Sequence, residues 1–428
     1  MKTFRSSRLS AAHRRRLTVR NPVNDQAAER TARRICLDVK QRGNAAVSDF
    51  STRFDGVSPQ IRRIPDSALN KASRRMKPEF MQALRNAAAT ITRFHEQQNS
   101  SQRPVRTMPG VTCWRTITAI PRVGLYVPAG SAPLPSTVLM LGIPALLAGC
   151  NSIALFTPPS SNGLANPFVL AAAAVAGIRE IYPVGGAQAI AAMAYGTESV
   201  PRVDKIFGPG NRFVNLAKQI VAADPEGCAI DMPAGPSELL VIADADANPA
   251  YVAADLLSQA EHDPDARVAL VTTSELLARR ALAEIASQLK DLPRKTIVRR
   301  SLAAGFVLIV RSLSEAMRFS NEYAPEHLSI QTARPEALAR HVRNAGSVFL
   351  GASAPVAAGD YASGTNHTLP TGGRARAYSG LTVGSFQKSV SFQSLTRAGL
   401  GRLAGTIKSL AAAEGLEAHR RSITVREH

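Results

Sequence analysis

Cysteine is scarce in this 428-residue sequence, and no two of its four cysteines form a C-x-x-C pair. The four are Cys36, Cys113, Cys150 and Cys228. Cysteines scattered in this way exclude a disulfide scaffold and a cysteine-rich zinc site, because both need paired thiols. They suit a reducing compartment, and we expect a cytoplasmic protein.

Long hydrophobic runs are also missing. The longest apolar stretch, residues 136–150, is too short to span a bilayer and contains Pro144. The basic N-terminus has neither the apolar segment nor the cleavage site of a signal peptide. We therefore expect neither membrane insertion nor secretion.

Acidic residues, lysine and aromatic residues are under-represented. Asp and Glu total 32 against 52 Lys and Arg, which leaves a net charge of +20, and aromatic residues make up 5% of the chain. Lysine occurs ten times, so 42 of the 52 basic residues are arginine. The arginines are dispersed apart from short clusters such as residues 14–16, and no DNA-binding motif accompanies them. We interpret the charge as solvated surface, and a nucleic-acid-binding protein stays as an alternative.

The chain nevertheless contains enough apolar residues for folded cores, since 45% of it is hydrophobic. A length of 428 residues predicts two or more domains. Residues 1–100 are predicted to be helical, because apolar residues recur at helical spacing through 27–43 and 80–95. From about Gly380 onward the chain is predicted to be helical again, with no obvious core of its own.

Between these helical regions, short apolar runs alternate with Ala-rich helices. We predict strands at residues 120–128, 152–156, 180–184, 239–243, 268–272, 308–310 and 347–350. Alternation of strands and helices is typical of parallel α/β sheets, because a parallel pair needs a crossover that a helix supplies.

The usual dinucleotide fingerprint is incomplete. Residues 208–213 read Gly-Pro-Gly-Asn-Arg-Phe and lack the third glycine, at which helix and strand must pack closely. Residues 184–188 read Val-Gly-Gly-Ala-Gln and follow a predicted strand, where a helix N-terminus could receive an anion. Each motif alone is also compatible with an ordinary turn.

Metal-ligand candidates are more suggestive. Gln259 and His262 are three residues apart, so one helix would place both side chains on the same face. Zinc usually selects His, Cys and carboxylate rather than a neutral amide, so this spacing alone is not diagnostic. Three more histidines, His327, His367 and His419, lie in polar or carboxylate-rich segments, where a surface histidine is also expected.

Several long strings occur in the order found in one enzyme family. They are VGLYVP (123–128), VGGAQAIAA (184–192), YGTESVPRVDK (195–205), GPGN (208–211), IDMPAGPSE (230–238), LSQAEH (257–262), PEHL (325–328), GDYASGTNH (359–367) and EGLEAH (414–419). With these strings the sequence resembles the histidinol dehydrogenases over nearly its whole length, and least over the first hundred residues.

The resemblance implies an activity and a set of site residues. The activity is a zinc-dependent, four-electron oxidation of L-histidinol through L-histidinaldehyde to L-histidine with reduction of two NAD, the last step of histidine biosynthesis. A family member that oxidises a different amino alcohol stays as an alternative. The implied zinc ligands are Gln259, His262, Asp360 and His419. Glu326 and His327 are the implied catalytic acid–base pair.

Substrate and cofactor contacts follow from the same resemblance. The implied substrate contacts are Ser237, His327, His367 and Glu414 together with the zinc ligands Gln259, His262, Asp360 and His419. The implied NAD contacts are Tyr126, Gln188 and Asn211, in a family that binds NAD without the usual glycine motif. Ala129 stands where a glycine is expected in the turn after Pro128, and a positive φ there would strain an alanine.

For the fold we predict an α/β protein with two incomplete Rossmann-like parallel-sheet domains and a small helical C-terminal tail domain. The predicted division is an N-terminal helical arm at 1–22, a first discontinuous domain at 23–124 and 239–378, a second domain on the NAD side at 125–238, and a tail at 379–428. The resemblance implies a homodimer in which the tail, with Glu414 and His419, reaches the partner's site.

Overall fold

The computed structural model describes residues 1–20, 26–57, 61–98, 103–129 and 132–427. The strands are β1 (Lys2–Arg5), β2 (Val105–Met108), β3 (Val111–Ala119), β4 (Arg122–Tyr126), β5 (Ser152–Phe156), β6 (Glu180–Tyr182), β7 (Lys205–Phe207), β8 (Ala229–Ile230), β9 (Glu238–Ala243), β10 (Arg267–Thr272), β11 (Phe306–Ile309), β12 (His327–Gln331), β13 (Ser347–Leu350) and β14 (Gln387–Leu395).

The α-helices lie between and around these strands. They are α1 (Ala11–Thr18), α2 (Gln26–Arg42), α3 (Asn44–Asp55), α4 (Asp66–Arg75), α5 (Pro78–Glu96), α6 (Pro135–Leu147), α7 (Pro167–Ala176), α8 (Gly186–Tyr195), α9 (Arg212–Ala223), α10 (Pro249–Ala260), α11 (Glu275–Gln288), α12 (Lys295–Ala304), α13 (Leu313–Tyr323), α14 (Pro335–Ala339), α15 (Val356–Tyr361), α16 (Arg397–Ala413) and α17 (Glu417–Thr424).

Two parallel sheets form the body of the protein. Sheet 1 has the order β1-β11-β10-β9-β12-β13, and sheet 2 has the order β6-β5-β4-β7-β8. In both, the chain moves outward from a central strand and then returns to that strand's other side, which is the doubly wound plan. Helices α6 and α7 share one apolar core with sheet 2, and α8 and α9 share another. The predicted fold class is confirmed.

The order in which the chain forms the strands determines which edges of the two sheets can form a binding site. In a doubly wound sheet, ligands bind at the carboxyl ends of the strands, beside the point where the strand order reverses. In sheet 2 that point lies between β4 and β7. In sheet 1, α10 leads from the carboxyl end of β9 back to the amino end of β10, so the C-terminus of α10 lies at the amino edge.

Two segments differ from the predicted helices. Residues 2–5, predicted as part of a helical arm, form β1 and pair with β11 at the edge of sheet 1. Residues 387–395, predicted as part of a helical tail, form β14 and pair antiparallel with β3 in sheet 3, which has the order β14-β3-β2. Pairing with a distant strand decides both elements, because four or nine residues carry little helical pattern of their own.

Helices α2 to α5 pack on sheet 2, whereas the sequence prediction grouped residues 23–124 with sheet 1. Apolar residues of α2 and α3 share a core with α8 and α9, and those of α4 and α5 share one with α6 and α7. An amphipathic face shows that a helix is buried but does not identify the surface that buries it. The domain boundaries themselves stay a prediction.

The C-terminal helices pack loosely on the body. In α16 and α17, Leu410 and the neighbouring Leu416 and Val425 are exposed, and in β14 so are Val390 and Phe392. Within the described ranges, the helices are too short or too polar for any of them to cross a membrane.

Candidate active site

Helix α10 positions Gln259 and the turn after it positions His262. Asn248 caps the helix by accepting a hydrogen bond from the Ala250 amide, and the helix ends at Ala260, so His262 follows the helix instead of sharing a helical face with Gln259 as expected. Gln259 is 1% exposed, and within the described part of the chain its Oε1 has no hydrogen-bond partner. A buried amide oxygen without a partner is costly unless a ligand satisfies it.

Asp360, near the end of α15, faces two histidines. Its Oδ2 lies 4.0 Å from His262 Nε2 and its Oδ1 lies 3.6 Å from His327 Nε2. Burial alone would raise the pKa of Asp360, but the imidazoles of His327, His367 and His262 outweigh burial and lower it. The carboxylate is therefore ionised at neutral pH and available to a cation.

Glu326 and His327 begin β12 at the amino edge of sheet 1, beside the start of β9. Glu326 Oε2 accepts a hydrogen bond from the Glu238 amide at 2.7 Å and lies 3.5 Å from His327 Nδ1. Nδ1 donates to the Glu238 carbonyl at 3.1 Å. This contact selects the tautomer with the proton on Nδ1, which leaves Nε2 facing Asp360.

The charge state of His327 depends on its neighbours. Burial by itself would lower the pKa of His327, but the carboxylates of Glu326 and Asp360 outweigh burial and raise that pKa to about 10. A cation held by Asp360 would neutralise one of the two carboxylates and bring the pKa of His327 down again.

His367 connects the two sheets. Its Nδ1 donates to the Asp360 carbonyl at 2.9 Å, and its Nε2 lies 3.2 Å from the hydroxyl of Thr137. Thr137 is in the first turn of α6, which follows β4, so it belongs to the carboxyl edge of sheet 2. The carboxyl edge of sheet 2 therefore faces the site group, formed by His262, His327 and Asp360, at the amino edge of sheet 1. Burial lowers the pKa of His367, which keeps the imidazole neutral.

The remaining predicted substrate and metal residues are divided between body and tail. Ser237 directly precedes β9 and is half-buried beside the group. Glu414 and His419 are exposed, and the contacts of these two residues, so far as the structure describes the chain, stay within the tail. Across the described ranges no three His, Cys, Asp or Glu side chains converge to hold a metal. The body of one subunit brings His262 to 4.0 Å from Asp360, with Gln259 in the last turn of α10, whereas the described hydrogen bonds of His419 stay in the tail.

The predicted NAD residues lie at the carboxyl edge of sheet 2. Tyr126 ends β4 and its hydroxyl accepts a hydrogen bond from the Gly186 amide at 3.0 Å. Gln188, near the start of α8, is buried and lies 3.5 Å from Asp55 Oδ2. Asn211 caps α9, just after β7. The three residues therefore surround the point where the strand order reverses.

The turn after β7 requires glycine. Gly208 has a φ of +121°, and a Cβ built on it would meet the Tyr126 carbonyl oxygen at 2.1 Å. At Ala129 the anticipated strain does not arise, since the one non-glycine residue with a positive φ in the described ranges is Ala324.

Sequence reasoning missed Asp255 and its role. This buried carboxylate, one turn before Gln259, accepts hydrogen bonds from Gln331 Nε2 at 2.8 Å and from the Val356 amide at 3.4 Å. It thereby joins α10 to β12 and α15, the elements that carry His327 and Asp360. The available signal was an acidic residue on the apolar face of a helix.

Comparisons with known proteins identify the family of this chain. The histidinol dehydrogenase family model matches residues 18–427. The chain is 52% identical over 392 residues to the histidinol dehydrogenase of Xanthomonas euvesicatoria pv. vesicatoria, covering 92% of this chain and 91% of the relative. It is 49% identical over 428 residues to that of Xanthomonas oryzae pv. oryzae, covering 100% and 99%.

A solved structure, the histidinol dehydrogenase from Elizabethkingia anophelis, superposes with a TM-score of 0.94 at 44% identity and covers 100% of this chain and 98% of its own. Fold, site and relatives together define an α/β oxidoreductase. The chain belongs to the histidinol dehydrogenase family.

Proposed function

We propose that this protein is a zinc-dependent, cytoplasmic enzyme that oxidises L-histidinol through L-histidinaldehyde to L-histidine and reduces two NAD, the last step of histidine biosynthesis. The observation that carries the proposal is that Asp360 faces both His262 and His327 at the amino edge of sheet 1. Three residues before His262, Gln259 has a buried oxygen without a hydrogen-bond partner in the described structure. The site group faces the edge of sheet 2 where NAD is expected.

The residues present fit a divalent zinc ion. The Gln259 oxygen, which has no partner in the described ranges, the exposed imidazole of His262 and the ionised Asp360 would supply three ligands, and His419 of a second subunit would supply the fourth. Bound zinc would supply positive charge that orients the amino and imidazole nitrogens of the substrate. Ser237, His367 and Glu414 would complete substrate recognition, with the Glu414 carboxylate pairing with the substrate ammonium.

The first oxidation needs a base. Because Nδ1 of His327 donates to the Glu238 carbonyl, its Nε2 can accept the hydroxyl proton of histidinol when the imidazole is neutral. The carbon-bound hydrogen leaves at the same time as hydride, for which NAD is the acceptor. The products are histidinaldehyde, one NADH and one proton.

The second oxidation needs water. Glu326 is the candidate base that removes a proton from water as the water oxygen bonds to the aldehyde carbon, while His327, protonated in the first step, gives its proton to the aldehyde oxygen, which yields the hydrate. One Glu326 oxygen is held by the Glu238 amide and the other stays available for the proton. Loss of a second hydride to another NAD, with a proton to His327, then gives histidine.

Exposed apolar groups support the proposed homodimer. Sheet 3 presents Val390 and Phe392, and the tail helices present Leu410, Leu416 and Val425. Burying them against a second copy would also bring Glu414 and His419 to the site of that copy. There His419 would supply the metal ligand that the body of one subunit lacks.

Measuring NADH formation distinguishes the proposed activity from its two alternatives, another amino-alcohol substrate and nucleic-acid binding. We expect about two NADH per histidinol consumed, because an alcohol needs two hydride losses to become an acid. Activity should be lost with a chelator and return with zinc. One NADH per molecule, or faster oxidation of another amino alcohol, would favour a different substrate. Salt-dependent DNA binding without NADH formation would favour the nucleic-acid alternative.

Mixing two inactive variants tests the shared site. His262→Asn and His419→Asn each remove a ligand and should each be inactive. A mixed dimer would contain one site with both substitutions and one native site, so random reassociation should restore roughly a quarter of wild-type activity. Either variant mixed with itself is the control. No recovery, although mixed dimers are present, would mean that each subunit uses its own tail.

A further inference from the structure

A buried ion pair lies directly behind the catalytic pair. Arg20, between α1 and the undescribed residues 21–25, donates through Nε and Nη2 to the two oxygens of Glu238. The side chains of Arg20 and Glu238 are 7% and 3% exposed. The guanidinium also lies 3.6 Å from the ring centre of Tyr323. Two-point contact and aromatic stacking are properties of arginine that lysine does not share.

The backbone of Glu238 contacts both catalytic residues. Its amide donates to Glu326 Oε2 at 2.7 Å, and its carbonyl accepts from His327 Nδ1 at 3.1 Å. A displacement of Glu238 would therefore move the Glu326 carboxylate. It would also break the hydrogen bond that keeps the proton on Nδ1 of His327 and leaves Nε2 free.

Arg20 has a second contact on the segment that leads to the catalytic pair. Its Nη2 donates to the Ala324 carbonyl at 3.2 Å. Ala324 has a φ of +51°, a left-handed conformation that costs an alanine energy and persists when neighbouring contacts hold it. Glu326 follows two residues later. One guanidinium therefore holds both the segment that leads to Glu326 and the residue at the start of β9 that contacts Glu326 and His327.

Charge adds to this argument. Burial first, and then the nearby carboxylate of Glu326, raise the pKa of Glu238 to about 7 although Arg20 opposes both. Removing the guanidinium would leave Glu238 buried without a counter-charge next to Glu326. A buried carboxylate without a counter-charge takes up a proton or moves, and either change removes the paired contact that fixes Glu238.

We propose that Arg20 is a positioning residue for both oxidations: it fixes Glu238 and Ala324, whose backbones hold Glu326 and His327 in their working geometry. The proposal rests on the proposed function for the roles of that pair, and it acts through Glu238 rather than by contact with substrate. It extends the site to the N-terminal segment, which carries none of the family strings.

The chain offers a matched control. Arg14 joins the same two parts of the molecule, since it pairs with Glu322 on α13 at 2.7 Å and lies 5.6 Å from the ring centre of Phe319. Unlike Arg20, it is partly exposed and makes no contact with Glu238 or Ala324 in the described structure. Arg14→Gln therefore measures the cost of loosening the N-terminal segment alone.

The experiment compares Arg20→Gln, Arg14→Gln and the double variant Arg20→Gln/Glu238→Gln in the zinc-loaded dimer. We expect Arg20→Gln to lower kcat roughly 10- to 100-fold with KM and zinc content nearly unchanged, as for residues that orient catalytic groups. Arg14→Gln should keep wild-type kcat. The double variant removes both charges but restores neither guanidinium contact, so it should recover at most part of the lost kcat.

A second measurement needs no substrate. Hydrogen exchange of the Glu238 amide, which donates to Glu326, should speed up in Arg20→Gln and not in Arg14→Gln. The exchange rate reports on the positioning of Glu238 even if histidinol is not the substrate. The NADH assay of the wild-type protein tests the substrate separately. If Arg20→Gln does not fold, Arg20→Lys keeps the charge without the two-point contact and should show a smaller fall in kcat. Wild-type kcat in whichever Arg20 variant folds, or equal effects of Arg14→Gln and Arg20→Gln on kcat and exchange, would overturn the proposal.

Discussion

The His262→Asn variant is expected to purify without zinc and to lose at least about 1,000-fold in kcat, because several kcal/mol of charge stabilisation and orientation depend on the ion. The imidazole of His262 is 41% exposed and lies 4.0 Å from Asp360. Its replacement therefore removes a ligand without opening a cavity in a core. Loss of metal and loss of turnover should occur together, while the unfolding temperature of the metal-free protein stays near that of metal-free wild type.

His341→Asn is the matched control for this variant. His341 is an exposed histidine in the segment between α14 and β13, and its described contacts involve backbone atoms alone. It should retain both zinc and activity. Zinc content is measured by metal analysis of the purified dimer, and turnover by NADH absorbance. Full activity of His262→Asn without bound metal would show that the ligand assignment is wrong.

The Glu326→Gln variant is expected to separate the two oxidations. Aldehyde oxidation should fall by roughly 100- to 10,000-fold, the usual loss when a general base is removed, and histidinol oxidation by far less. Glutamine keeps an oxygen that can accept from the Glu238 amide, so the local geometry is retained. It also removes one of the carboxylates that raise the pKa of His327, which favours the neutral imidazole needed in the first step.

Rapid mixing of enzyme with histidinol and NAD measures the separation directly. The variant should form the first NADH at a near-native rate and the second one slowly, and added histidinaldehyde should be oxidised slowly. Glu336→Gln, an exposed glutamate on α14, is the control and should behave as wild type. Equal loss in both steps would contradict the division of roles between Glu326 and His327.

Much of the fold was predictable, because alternation of apolar strands with helices needs only local pattern. β5, β9, β10 and β13 were predicted within a residue or two of their observed bounds. The misses are instructive. β14 alternates Val390 and Phe392 with polar residues, but two apolar residues are too few to decide between strand and helix, and its pairing with β3 decides it. β1 is too short for its pattern to decide, and its pairing with β11 decides it.

The sequence could name candidate residues for the site but not their contacts. Strings around Gln259, Glu326 and Asp360 identified the family, and that resemblance named candidate ligands and a candidate base. Arg20 and Asp255 lie outside these strings, and the string that ends at Glu238 does not reveal its ion pair. A buried ion pair or a buried carboxylate is recognised by its partners, and those are hundreds of residues away or on other elements.

The amino-acid sequence by itself determined the class of fold, the family and the side chains that can do chemistry, since these depend on local periodicity and on short strings. Tertiary structure decided that the amino edge of sheet 1 meets the carboxyl edge of sheet 2, that β1 and β14 are strands, and that His419 stays apart from Asp360 within one subunit. Long-range packing sets these relations, and it depends on which apolar surfaces bury one another rather than on the pattern of any one segment.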